Sequence, residues 1–221
     1  MSYHWDFEAV WRHRDLLWAG ALGTFRLFGC AFLLAVPLGI VLTLLRLARS
    51  PVLSWSARAY IEIFRTAPAI VLIYWFFFAF PTLTGITFGT LVAATIALGL
   101  QAAAFFAEVF RAGIESIARG QWEAAGALGM GYGSVMRDII LPQALRRILP
   151  IFFTRTTELF KATSLAATIA YAEIVQQASL AVSQSFRPIE TFTVVAAFFF
   201  IVIFIASQLM RAWEWRLSRA G

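Results

Sequence analysis

The sequence predicts an all-α membrane protein of five transmembrane helices, with its N-terminus outside and its C-terminus inside. Three observations lead there. Of the 221 residues, 61% are hydrophobic and only 14% charged, and a mean hydropathy of +0.78 lies above that of water-soluble domains. The apolar residues gather in runs long enough to cross a bilayer, and the basic residues gather at alternate connections between those runs.

The first run, 16–45, is longer at 1.5 Å per residue than a hydrocarbon core of roughly 30 Å requires, so it must tilt or protrude. Arg26 lies early in it. An uncharged stretch from Thr66 to Ala107 is too long for one helix, and the turn residues Pro81-Thr82-Leu83-Thr84-Gly85 divide it into a hairpin. Spans 59–80 and 87–110 follow. The fourth, 144–168, is apolar but carries Arg155, Glu158 and Lys161, and the fifth, 191–210, is uncharged. Arg46, Arg49 and Arg58 flank the first connection. Arg111, Arg119, Arg137, Arg146 and Arg147 crowd the third, and Arg211, Arg216 and Arg219 fill the C-terminus. These segments belong in the cytoplasm, whereas the turn at Pro81 and the segment 172–190, with Arg187 alone, belong outside.

Composition also excludes. A net charge of +6 would ordinarily raise nucleic acid as a partner, but 17 of the 18 basic residues are arginines, most of them scattered at span ends, where membrane anchoring explains them. Cys30 is the sole cysteine, so neither an intrachain disulfide nor a thiolate metal cluster is expected. His4 and His13 lack partners at ligand spacing, and no metal site is expected. Residues 1–15 have no basic leader, and the run after them is too long for a cleaved signal peptide, so the first helix should be retained. The length leaves no room for an appended soluble catalytic domain. The only lysine, Lys161, follows Phe160 inside a span, and nothing ends in Gly-Lys-Ser/Thr, so this chain should not hydrolyse ATP through a P-loop.

The connection 111–143 is a polar island with Ala, Leu and Gly at helical spacing, which predicts short helices along the membrane surface. Its core reads Gln121-Trp122-Glu123-Ala124-Ala125-Gly126-Ala127-Leu128-Gly129, followed by Ile139-Ile140-Leu141-Pro142. Small side chains at Ala124 and Ala125 would let a partner approach closely, Glu123 could pair with a cation there, and Gly129 permits the positive φ that ends a helix. Pro142 suits the first turn of the next span.

That spacing resembles the cytoplasmic loop by which the permease subunits of bacterial ABC importers engage their ATPase. Further stretches extend the resemblance to the polar amino acid branch: Tyr60 to Pro68, Ala107 to Ile117, Arg119 to Ala125, Leu141 to Arg146 and Lys161 to Leu165. It covers about residues 20–210. It implies a type I permease fold with a periplasmic N-terminal segment (1–15), a transmembrane domain (16–210) and a cytoplasmic tail (211–221), in a bacterial inner membrane. The implied partners are an ABC ATPase dimer that binds ATP and Mg, a second permease subunit and a periplasmic amino-acid-binding protein, with membrane lipid around the spans. No cofactor is implied in this chain. Arg119, Gly120, Gln121, Glu123, Ala124, Ala125, Leu128 and Gly129 become the expected ATPase-coupling residues. Where many relatives have Asn and Asp this chain has Thr154 and Ala162, so their pore contacts do not transfer directly. The string from Phe152 to Lys161 leans towards the glutamate/aspartate subgroup.

On the fourth span Arg155, Glu158 and Lys161 fall within an arc of about 120° and share one helix face. Charges at mid-bilayer cost at least about 2.5 kcal/mol each, so they should face protein or water. They could form an internal ladder of ion pairs, line a substrate path, or both. Thr154, Thr157, Thr163 and Ser164 add hydroxyls near this face, and Gln101 could line the path or bond a neighbouring helix. Glu62 with Arg65, and Glu108 with Arg111, are spaced to pair at helix ends. Trp213 and Trp215 suit an interfacial belt. The expected function is a permease subunit of an ATP-driven polar amino acid importer. The alternatives are a gradient-driven transporter or channel and, behind it, an intramembrane enzyme using Glu158 and Lys161.

Overall fold

The computed structural model describes residues 3–219, with side chains as far as Trp213. Trp215, Arg216 and Arg219, expected in the belt and the basic tail, therefore have side chains outside the described residues. The described residues form helices and no strand. In order these are α1 (Phe7–Arg12), α2 (Arg14–Arg46), α3 (Pro51–Thr66), α4 (Ala69–Tyr74), a π-helical stretch (Trp75–Ala79), α5 (Phe80–Thr84), α6 (Thr90–Glu115), α7 (Arg119–Ala127), α8 (Tyr132–Ser134), a second π-helical stretch (Val135–Ile140), α9 (Leu141–Ala162), a 3-10 stretch (Thr163–Ile169), α10 (Ile174–Ser185) and α11 (Pro188–Arg219).

Among the described residues, three helices are long and apolar enough to cross a membrane: α2, α6 and α11 to Trp213. Two bent pairs raise that number to five if each is one span. One is α3 with the segment 69–84, bent by 103°, and the other is residues 132–169 with α10, bent by 48°. The expected second span, 59–80, is thus not one continuous helix. Pro68 bars its predecessor from the helical region, and Ala67 is extended at φ −70°, ψ 134°. Pro81 is likewise not the turn itself. It starts the short α5, and the chain reverses at Gly85, whose φ is +73°.

The centre of the bundle is the pair α2 and α6. Gly99 faces Leu34, and Gly39 faces Ala103 and Phe106. Thr43 shares its hydroxyl proton between the carbonyls of Gly39 (2.8 Å) and Ala107 (3.2 Å). Sequence offsets of about 64 at each level mean that the two helices run parallel. Ala31, Ala35, Ala93, Ala94, Ala97 and Ala103 fill the interface, and each is essentially fully buried. Small side chains let the backbones approach, which is how helices pack when lipid removes the hydrophobic drive between them.

The segment 172–190, expected as an outer loop, instead contains α10, which packs across the first turns of α2. Gly20 and Gly23 make the crossing possible: a Cβ at Gly23 would lie 2.1 Å from the Ala172 carbonyl oxygen, and one at Gly20 would lie 2.8 Å from Ile174 Cα. The start of α10 is satisfied from two sides. Glu173, fully buried, accepts from the Gln176 amide at 2.7 Å, and Thr24 of α2 accepts from the Ile174 amide at 3.1 Å. Beside it, the N-terminal segment is not bare but forms α1, capped by Asp6. The buried Glu190 of α11 clasps this segment, accepting from the Tyr3 hydroxyl at 2.5 Å and the Asp6 amide at 2.9 Å.

Candidate functional site

The polar face expected on α9 exists, and neighbouring helices complete it. Arg155 donates to Glu158 at 2.7 Å, and its guanidinium lies 4.8 Å from the centre of the Phe105 ring of α6. Both charged residues edge a small cavity of about 80 Å³ with Gln101, Leu98 and Ala102 of α6. Arg155 also borders a wider cleft of about 490 Å³ shared with Arg65 and Glu108. Gln101 has a definite partner. Its amide donates to the Ala67 carbonyl at 2.6 Å, the group that the Pro68 break leaves without a helical donor.

Two expectations for this face change. Lys161 does not extend the ladder: among the described residues no carboxylate lies within 4 Å of its ammonium, and the side chain is exposed. Glu158 is already held by the guanidinium one turn back. Thr163 is fully buried, so it packs inside the bundle and lines no path. The tighter 3-10 turn that begins at Thr163 carries it there. The hydroxyls of Thr154, Thr157, Thr163 and Ser164 donate to the carbonyls of Pro150, Thr154, Phe160 and Lys161 on their own helix. They offer a passing ligand acceptor lone pairs, not free protons.

The helix-end pairs are redistributed as well. Arg111 holds Glu108 at 2.8 Å as expected. Arg65, however, reaches across to Glu108 at 3.6 Å instead of pairing with Glu62. The Arg155–Glu158 pair yields a direct test. Arg155→Leu leaves the Glu158 carboxylate without its partner, and adding Glu158→Leu removes that charge. The double variant is expected to recover folded yield towards wild type, measured by fluorescence-detected size exclusion. Equal loss in the single and double variants would show that Arg155 serves something other than Glu158.

The polar island folds as the expected short helices. In α7, Arg119, Gly120, Gln121, Glu123 and Ala124 are exposed, as are Leu128 and Gly129 just beyond it. Leu128 is 80% exposed, the most exposed large apolar side chain of the segment 119–134. Gly129 takes φ +72°, the left-handed value its place at the helix end predicts. Ala125 departs from expectation. It is 1% exposed and belongs to a core with Val109, Ile117, Val135, Ile140, Ala144 and Ile148. Its methyl therefore packs inside this chain and presents nothing to a partner. Trp122, half-buried on the same side, stacks on Tyr132 at 6.0 Å. The segment is tied to α9 by Arg147, which donates to the Ser116 carbonyl at 2.6 Å, and more weakly by Gln143 to Gln121 at 3.4 Å.

Sequence reasoning missed the buried acids Glu173 and Glu190 that fix α10 and α1. The signal at Glu173 was an acceptor standing before Ile174-Val175-Gln176-Gln177, an N-cap pattern inside a stretch read as loop.

A helical membrane protein with an exposed, internally anchored loop helix beside a charged span has the organisation of a transport permease, and the comparisons identify which kind. The family model described as "Binding-protein-dependent transport system inner membrane component" matches residues 35–219, and the chain belongs to that family. Its relatives are amino-acid ABC permeases. The probable amino-acid ABC transporter permease protein YckA of Bacillus subtilis is 36% identical over 80% of this chain and 78% of its own length. The glutamate/aspartate import permease protein GltK of Escherichia coli is 30% identical over 94% and 96%. Permeases named for arginine and octopine transport match at 29% and 34% identity. Among solved structures, the crystal structure of an amino acid ABC transporter with histidines superposes with a TM-score of 0.91 at 28% identity, covering 97% of this chain and all of that one.

Proposed function

We propose that this chain is the membrane-spanning permease subunit of an ATP-driven importer for polar amino acids in a bacterial inner membrane, with glutamate or aspartate as the favoured cargo. It crosses the bilayer five times, N-terminus out and C-terminus in. It contributes to the translocation path, and a separate ATPase dimer binds ATP and Mg and hydrolyses the nucleotide. A second permease subunit, identical or not, and a periplasmic binding protein complete the assembly.

The observation that carries this reading is the surface of α7. Glu123, Ala124, Leu128 and Gly129 face outwards from a helix whose other side is locked into the core by Ala125. Movement of α7 must therefore be felt by α9, which carries Arg155 and Glu158. Family membership supports the same division of labour. The glutamate/aspartate lean rests on the stretch from Phe152 to Lys161 and on the likeness to GltK, while likeness to an arginine permease argues for selectivity set largely by the binding protein. The alternating arginines support the orientation.

Proteoliposomes holding this chain with its co-expressed ATPase and binding protein should take up radiolabelled glutamate only with ATP and all components present. Uptake driven by an ion gradient with the ATPase omitted would overturn the proposal in favour of a gradient-driven transporter.

A further inference from the structure

We propose that the groove between α1, α2 and α11 is a binding site for a diacyl phospholipid with a primary-ammonium headgroup. The groove has a volume of about 550 Å³, within the range of small-molecule sites. Val10, Leu17, Ala21, Val194 and Phe198 supply an apolar floor with no polar partner for water. It lies between two apolar helices that this chain leaves largely uncovered: only 33% of the most apolar window of α2, and 17% of that of α11, is buried within the chain. The groove is therefore continuous with the acyl layer, and an acyl chain can enter it sideways.

The rim identifies the headgroup. Arg14 stacks its guanidinium 5.5 Å from the centre of the Trp11 ring. Asp15 lies beside it in a loose contact of 3.7 Å, and the two side chains are 57% and 91% exposed. Neither is consumed by the other. The guanidinium keeps donors free for a phosphate, and the carboxylate keeps acceptors free for an ammonium. Exposed Trp11 and Trp18 line the same groove on either side of Arg14 and Asp15 in the chain, and amphipathic rings of this kind favour the boundary between hydrocarbon and headgroups. A cation and an anion side by side above an apolar slot repeat, in complementary sign, the layout of a zwitterionic aminophospholipid. A choline headgroup cannot donate to Asp15, and a glycerol headgroup leaves a net anion beside it.

The groove shares no lining residue with α7 or with the cavities at Arg155, so it stands or falls separately from the proposed function. Purified chain, with any subunits that accompany it, is delipidated in detergent and titrated with 1-palmitoyl-2-oleoyl phosphatidylethanolamine, -choline and -glycerol, and bound lipid is counted by native mass spectrometry. One tightly held phosphatidylethanolamine per chain is expected. Arg14→Gln, which loses a charge-assisted contact, and Val194→Phe, which fills the slot, should each weaken it roughly tenfold. Asp15→Asn should abolish the preference for ethanolamine over choline while lipid still binds. Leu33→Phe, on the exposed face of α2 away from the groove, should change nothing. Arg14→Gln alters only an exposed side chain, so it decides the matter even if Val194→Phe folds poorly. Equal retention in wild type and Arg14→Gln, equal binding of all three headgroups by wild type, or a polypeptide found occupying the groove instead would each overturn the assignment.

Discussion

Leu128→Glu is expected to leave the chain inserted and folded while stopping transport. The side chain is 80% exposed and contributes nothing to this chain's own core, so an added charge there disturbs no internal packing. If α7 docks into the ATPase with Leu128, its most exposed apolar side chain, as the central anchor, losing that hot-spot contact to a buried charge costs about 2 kcal/mol or more. Retention of the ATPase on purification should then fall roughly thirtyfold. Ala125→Trp behaves differently. It overpacks an internal core at a cost of about 1–3 kcal/mol or more, so folded yield itself should drop. The pair of measurements, ATPase retention and monodisperse yield, separates a surface effect from a folding effect. Wild-type retention and transport in Leu128→Glu would exclude α7 as the coupling element.

Gly23→Ala is expected to be the most damaging single-methyl change in the protein. The new Cβ would meet the Ala172 carbonyl oxygen at 2.1 Å, and a backbone atom cannot rotate aside. For α2 and α10 to separate, the Tyr171 hydroxyl must release the Gly23 carbonyl, now bonded at 3.0 Å, and Thr24 must release the Ile174 amide. Overpacking together with buried polar groups left unpaired amounts to about 3–5 kcal/mol. Gly29→Ala is the control: nothing lies within 4 Å of its added Cβ, and alanine in mid-helix is favoured over glycine by about 0.5–1 kcal/mol. Thermal unfolding in detergent should place Gly23→Ala far below wild type and Gly29→Ala at or above it. Similar midpoints for the two variants would mean that the α2–α10 crossing yields more easily than its geometry implies.

Much of the helical framework was legible because hydropathy averages well over long apolar runs. The run 16–45 became Arg14–Arg46, and 87–110 became Thr90–Glu115. The same averaging hides single-residue events. Ala67-Pro68 stood inside an apolar stretch, and a window mean does not respond to one missing amide. The helix α10 was lost for a related reason: Gln176, Gln177, Ser179 and Ser183 dilute its hydropathy, and Gly20 and Gly23 mean little until their partner is known. In α7 the difficulty was length. Nine residues hold too few turns for periodicity to tell that Ala125 faces inwards while Ala124 faces out. Arg155 and Glu158 were readable as a pair from spacing alone, whereas spacing does not reveal that Glu158, once held by Arg155, leaves Lys161 without a carboxylate within 4 Å among the described residues.

The hydrogen bond from Gln101 to Ala67 spans 34 residues of chain, and that separation matters for how the protein is made. During synthesis the bent segment α3–α5 emerges before its donor exists. A carbonyl left bare in hydrocarbon costs several kcal/mol, so the bend cannot settle at depth by itself. Meanwhile α3, with Val52 and Ile63 exposed on one side and Arg58, Glu62 and Arg65 on another, is suited to wait at the bilayer surface. Only when α6 enters alongside does the bent segment gain its missing donor. Residues 51–115 are thus expected to act as one unit of biogenesis, in which a later helix completes the insertion of an earlier one.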